Sequence, residues 1–235
     1  MGAEAKLTKK DHIHLGSCTK AMTSVLLATL VTEDKLTWET SLLEALPELK
    51  GKIDPEYYPI TVWQLLTHRS GVAANAANWR VHGKMEVKKR RLAILKENLK
   101  EAPPLEEGVY HYSNLGYMIV GTVMERVTGK SWESLTREHI FDTLGMSSCG
   151  FGVPDTTGNA EQPWGHSRSD GTPSNTDNPP IFGPAGTVHC SLEGWSKFIA
   201  MHLSAARGTP RLLSADSFQK MHDPSSDSNY ALGWE

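Results

Sequence analysis

Hydrophobic residues in this chain recur mostly at helical spacing, and the densest run is Ala21-Met22-Thr23-Ser24-Val25-Leu26-Leu27-Ala28-Thr29-Leu30-Val31. A segment this apolar predicts a strongly buried helix over residues 18–32. Residues 114–128 place Leu115, Met118, Ile119, Thr122, Val123 and Val127 at the same period, and Gly129 then acts as a C-terminal stop. Further helices are expected near 61–67, 84–100, 131–142, 191–206 and 214–221, with Ser191 as the N-cap of the helix carrying Trp195, Phe198 and Met201. The helix at 84–100 has an apolar stripe of Met85, Leu92, Leu95 and Leu99. Alternation of His12 and His14 predicts a short strand at 10–15. Residues 146–190 are rich in Gly, Pro, Asn, Asp and Ser and read as one long irregular stretch of the kind that usually serves function. There are no internal repeats and no linker, so residues 1–235 read as a single domain.

The mouth of the most apolar helix carries the candidate chemistry. Ser17 and Lys20 lie three residues apart behind Gly16, so hydroxyl and amine project from one helix face. A serine hydroxyl needs a base, and a lysine becomes one when burial disfavours its charged form. A second Ser-x-x-Lys, Ser217-Phe218-Gln219-Lys220, lacks both the preceding glycine and a third partner. Ser17 has such a partner in Tyr112, 95 residues downstream within Tyr110-His111-Tyr112-Ser113-Asn114. In an extended segment Tyr112 and Asn114 face one cleft while Ser113 faces away. A tyrosine can relay a proton, and an asparagine amide can hold both a lysine and a substrate carbonyl. The plainer reading of either motif alone is a buried serine near a helix start and a Ser-Asn helix cap. Their combination favours catalysis.

With these residues in this order, the chain resembles the serine β-lactamase and penicillin-binding protein superfamily, in the branch holding class C β-lactamases, D,D-peptidases and family VIII esterases. Ser17-Cys18-Thr19-Lys20 matches its first motif, and Tyr112-Ser113-Asn114 its second. Leu65-Leu66-Thr67-His68-Arg69-Ser70-Gly71, Gly116-Tyr117, Leu144-Gly145-Met146, Gly183-Pro184-Ala185-Gly186 and Tyr230-Ala231-Leu232-Gly233-Trp234 follow in family order. The resemblance implies an α+β, serine β-lactamase-like fold, here mostly its helical part with a reduced antiparallel sheet. No K-T-G, H-T-G or H-A-G third motif occurs, and only 16 residues precede Ser17, which implies a domain shortened at both ends. The implied activity is that of a serine hydrolase, forming a covalent acyl-enzyme from a small ester, β-lactam or D-Ala-D-Ala-type amide. Ser17 would be the nucleophile and Lys20 and Tyr112 would move the proton. Asn114, Gly183, Ala185, Gly186 and Thr187 would bind substrate. The rival reading is a pseudoenzyme, binding module or incomplete fragment. An exposed sheet edge would then invite a second copy or a complementing chain.

Composition changes this picture little. A net charge of −3 and 39% hydrophobic residues fit a chain able to bury a sizeable core and give no reason to expect nucleic acid. The basic run Lys88-Lys89-Arg90-Arg91 reads as a solvated helix face. No stretch of about 18 apolar residues predicts a membrane span. Met1-Gly2-Ala3-Glu4-Ala5-Lys6 lacks the apolar core of a signal peptide, and location stays open. Three cysteines, Cys18, Cys149 and Cys190, suggest no disulfide framework, and Cys18 reads as packing. Ten histidines are present without metal-ligand spacing. His68 reads as fixing a turn. No phosphate-cradling glycine motif occurs, so neither metal nor cofactor is expected.

Overall fold

The structure, a computed structural model, describes residues 6–154, 162–224 and 228–235. Its centre is helix α1 (Thr19–Thr32), buried from Thr19 to Leu30 on every face. A helix apolar all round needs cover all round. Two short capped helices follow, α2 (Leu42–Ala45) and α3 (Val62–Leu66). Then come α4 (Val87–Asn98) and α5 (Asn114–Thr128), which packs on α1, α3 and α4. Gly129 ends α5 in the left-handed region, as its position predicts. The helix expected at 131–142 is α6 (Trp132–Thr136), continued as π-type turns over Arg137–Asp142.

Both helices missing from the sequence reading are short. Helix α2 starts with a capping box: Ser41 Oγ accepts from the Glu44 N–H, and Glu44 Oε2 accepts from the Ser41 N–H. Helix α7 (Gly183–Gly186) is Gly-Pro-Ala-Gly, three of its four residues having poor helix propensity, and it packs between α1 and α5. It falls in the stretch expected to be irregular, and so do four of the strands.

These strands form two small sheets among the described residues. In the first, β1 (His12–His14) and β2 (Gly150–Phe151) flank the fully buried β5 (Val188–Ser191), all antiparallel, with Ile13 opposite Cys190 and Gly150 opposite His189. The second pairs β3 (Gly165–His166) with β4 (Pro173–Ser174). The architecture is α+β, mainly helical with a small antiparallel sheet. Ser191 ends β5 and caps α8 (Leu192–Ala206), and Ser214 caps α9 (Ala215–His222). No helix among the described residues is long and apolar enough to cross a membrane.

Two sequence readings are overturned here. Cys149 and Cys190 are joined by a disulfide, because antiparallel pairing of β2 with β5 brings together positions 41 residues apart. An odd cysteine count hid this pair. The remaining cysteine, Cys18, is free and exposed rather than packed.

The basic run is not a solvated face either. Arg91 is fully buried and Arg90 nearly so, while Met85, assigned to the apolar stripe, is exposed and precedes α4. Arg91 Nη1 pairs with Glu125 Oε1 of α5 at 2.5 Å, and its Nη2 pairs with Glu133 Oε1 of α6. Arg91 also donates to the Ile181 carbonyl from Nε (3.0 Å) and to the Pro180 carbonyl from Nη2 (2.8 Å). Burial pushes the Glu125 carboxyl up and the facing Arg91 charge pulls it down. One guanidinium thereby ties α4, α5, α6 and the approach to α7 together.

Removing one partner of a buried pair leaves the other charge stranded. Arg91→Met is expected to lower stability by about 3–5 kcal/mol in urea unfolding. Thiol titration of the native, non-reduced protein is expected to find only Cys18, with Cys149 and Cys190 appearing after reduction. Three reactive thiols without reductant would rule out the bridge.

Candidate active site

Ser17 sits on a tight 3-10 turn, Gly16–Cys18, that feeds directly into α1, and it is exposed. Lys20, one turn further on, is 1% exposed. Its Nζ donates to Ser17 Oγ (3.2 Å), Asn114 Oδ1 (2.7 Å) and the Ala185 carbonyl (2.9 Å). The Tyr112 hydroxyl donates to the same Ser17 Oγ at 2.7 Å. The turn into α1, the start of α5 and the short helix α7 thus meet at one amine.

Local sequence explains how Tyr112 and Asn114 reach this point. Ser113 is extended and turns inward, where its Oγ donates to the Ala73 carbonyl and accepts from the Gly116 N–H to cap α5. Its neighbours on either side are left to reach the Ser17–Lys20 pair, Tyr112 at Ser17 and Asn114 at Lys20. Asn114 is fixed in turn, since its Nδ2 donates to Asn75 Oδ1 at 2.8 Å and leaves Oδ1 toward Lys20. His68 adopts a left-handed turn conformation, consistent with its expected role, and is buried behind the site. Its Nδ1 accepts from the Ser113 N–H at 3.1 Å, and its ring lies 4.5 Å from those of Tyr112 and Tyr230.

The electrostatics follow from burial. Desolvation lowers the Lys20 pKa to about 7, with the neighbouring Cys18 acting weakly the other way. Burial raises the Tyr112 hydroxyl, opposed by its hydrogen bond to Ser17, so it stays a phenol near neutral pH. Burial and the Lys20 charge push His68 down to about 3, which keeps it neutral and unsuited as a base. The combination is a serine hydroxyl between a phenol and an amine poised to lose its proton.

The closing turn packs against the back of this site. Tyr230 hydrogen-bonds Tyr117 through their hydroxyls (2.8 Å), and Gly233 lies so close to α1 that a Cβ there would stand 2.4 Å from the Ala21 nitrogen. The front opens into a cleft of about 500 Å³ bounded by Ser17, Asn75, Trp79, Asn114, Phe182 and Gly186 among others.

Not every residue singled out in the sequence borders this cleft. Ala185 and Gly186 do. Gly183 lies behind, where a Cβ would come within 2.6 Å of Arg91 Nη2. Thr187 is buried and borders a separate cavity of about 380 Å³ with Phe151 and Asp177. The second Ser-x-x-Lys has a structural role: Ser217 belongs to the cap of α9, and Lys220 lies over the Trp63 ring. His14 pairs with Asp177, while His12 stacks on His189. Asn75, Trp79, Asn178 and Phe182 were missed. Asn75, Trp79 and Asn178 come from loops and Phe182 from a single 3-10 turn, none with a periodic signal, and only their convergence marks them.

The Beta-lactamase family profile matches residues 1–235. Penicillin-binding protein 4 of Amycolatopsis lactamdurans is 26% identical over 92% of this chain and 58% of its own length. Lovastatin esterase of Penicillium rubens is 29% identical over 60% of the chain and 40% of its own length. Among solved structures, a class C β-lactamase from Rhodobacter sphaeroides superposes with a TM-score of 0.73 at 21% identity, covering 93% of this chain and 58% of that one. The chain thus spans roughly half the length of these relatives. A profile matched from end to end, together with the same fold, makes this chain a member of the β-lactamase family.

Proposed function

We propose that the protein is a serine hydrolase working through a covalent acyl-enzyme, with small esters as its preferred substrates over β-lactams and D-Ala-D-Ala-type amides. The observation that carries this reading is the double contact on Ser17 Oγ, by Tyr112 at 2.7 Å and by the buried Lys20 amine at 3.2 Å. A neutral amine has two N–H groups and one lone pair. The two N–H groups match the acceptors Asn114 Oδ1 and the Ala185 carbonyl, which leaves the lone pair for the Ser17 proton. Ser17 Oγ then bonds to the substrate carbonyl carbon while its proton passes to Lys20. The Ser17 N–H, at the positive end of α1, faces the charge developing on the carbonyl oxygen. Collapse of the tetrahedral adduct breaks the bond to the alcohol, which takes its proton from Tyr112, itself reprotonated by Lys20. Water repeats the sequence and frees the acid. An esterase among the relatives supports the ester preference.

Intact mass after treatment with a fluorophosphonate is expected to show one adduct, absent in Ser17→Ala. Absence of any adduct on the wild type would overturn the reading in favour of a binding module. With p-nitrophenyl butyrate, kcat/KM is expected to exceed that for nitrocefin, and equal labelling by penicillin and faster nitrocefin turnover would move the assignment to β-lactams. Tyr112→Phe is expected to lose about 10²-fold and Lys20→Arg about 10³-fold or more, since an arginine keeps its proton. A lysine base lowered to about 7 is charged below that pH and free above it. The rate is therefore expected to rise with pH through about 7 and to fall roughly tenfold per unit on the acid side. A flat profile from pH 5 to 9 would exclude Lys20 as the base.

A further inference from the structure

The cleft in front of Ser17 is asymmetric. Asn114 borders it, as do the aromatic residues Trp79 and Phe182, whereas Tyr112 does not. In the acyl-transfer reading, on which this inference rests, Tyr112 gives a proton to the departing alcohol. The leaving group therefore exits on the Tyr112 side, and the cleft with the two aromatic rings receives the acyl portion.

The Trp79 wall is a built feature. Arg90, nearly buried, donates to the Trp79 carbonyl from Nη2 and to the Val81 carbonyl from Nε (3.2 Å), which anchors the segment on α4. The Arg80 guanidinium lies 4.2 Å from the Trp79 ring centroid, and Asn98 Oδ1 accepts from the Ala77 N–H at 2.7 Å. Phe182 is held by the turn that Arg91 clamps through Pro180 and Ile181. The rim polar groups are neutral amides, Asn75 and Asn178, the latter donating to the Gly186 carbonyl at 2.7 Å. Among the described residues lining the cleft none is Asp, Glu, Lys or Arg.

A cavity lined by two aromatic residues and neutral amides, with no charged side chain among its described lining residues, fits a flat, uncharged group. We infer that Trp79, which lines the cleft together with Phe182, is a specificity-determining residue selecting substrates whose acyl portion ends in an aromatic or similarly flat apolar ring. Trp79 takes no part in proton transfer. It acts by contact with the acyl group, so its effect falls on the ratio between substrates that differ only there.

The test compares p-nitrophenyl phenylacetate with p-nitrophenyl acetate, which share a leaving group. In the wild type the phenylacetyl ester is expected to have the higher kcat/KM by about tenfold, on the scale of a well-filled apolar pocket. In Trp79→Ala that ratio is expected to fall to within about threefold of unity, and Trp79→Phe is expected to keep most of it. A ratio unmoved by Trp79→Ala, or no preference in the wild type, would overturn the inference while leaving Ser17 labelling and acetate hydrolysis as evidence for the acyl-transfer reading. A readout free of turnover separates the two further. Phenylacetamide added to the Ser17→Ala protein is expected to shift the Trp79 indole N–H resonance saturably, whereas acetamide does not. No saturable shift in that titration sinks the inference even if the enzyme proves active.

Discussion

Placing a lysine amine inside a core is the constraint around which the rest of this structure is arranged. Desolvation of a charged ammonium is unfavourable, and a site that accepts one must either supply acceptors or let the proton go. Here it does both. Asn114, Ala185 and Ser17 satisfy the amine, while burial brings its pKa to about 7. Those acceptors belong to three segments far apart in sequence, so the docking of α5 and α7 against α1 is what makes the amine useful. Thr23 of α1 adds to this docking by donating to the Pro184 carbonyl at 2.7 Å.

The short helix α7 is the weakest of these elements in its own right, and its supports are correspondingly many. Arg91 grips the turn before it through two carbonyls, Asn178 holds the Gly186 carbonyl, and β5 leaves it at once for the buried sheet. Thr19 at the start of α1 accepts from the Val188 N–H at 3.2 Å, so the helix that follows Ser17 is tied to that sheet. The Cys149–Cys190 bridge joins β5 to the segment entering β2. Rigid placement of the Ala185 carbonyl thus depends on charge pairing on one side and on strand pairing with a covalent link on the other. A carbonyl displaced by an ångström would leave the Lys20 amine short of an acceptor, and proton transfer is sensitive to such misplacement.

The long helices were legible because each is specified by its own residues. The α5 stripe ends at Gly129, and Ser191 and Ser214 cap the helices they precede, because those signals are local. The capping boxes at Ser41–Glu44 and Thr61–Gln64 carry a similar local signature, although only the helix after the second was expected from the sequence. Arg91 failed as a sequence reading for the opposite reason. Four basic residues in a row look like a solvated face, and nothing local distinguishes Arg91 from Lys89. The difference is that the helical rotation points Arg91 at Glu125 and Glu133, contributed by α5 and the start of α6.

The candidate site divides along the same line. The sequence by itself determined that Ser17 and Lys20 share a helix face and that Tyr112 and Asn114 point to one side with Ser113 to the other, since spacings of three and two are properties of helix and strand geometry. Only the tertiary structure decided that these pairs meet, that Ala185 supplies the third acceptor, and that Gly183 and Thr187 lie away from the cleft. It alone decided the cleft lining as well, because Trp79, in a loop, and Phe182, on a single 3-10 turn, sit about a hundred residues apart. Loops carry no period that would announce which way a side chain faces, so their directions follow from what the core beneath them already fills.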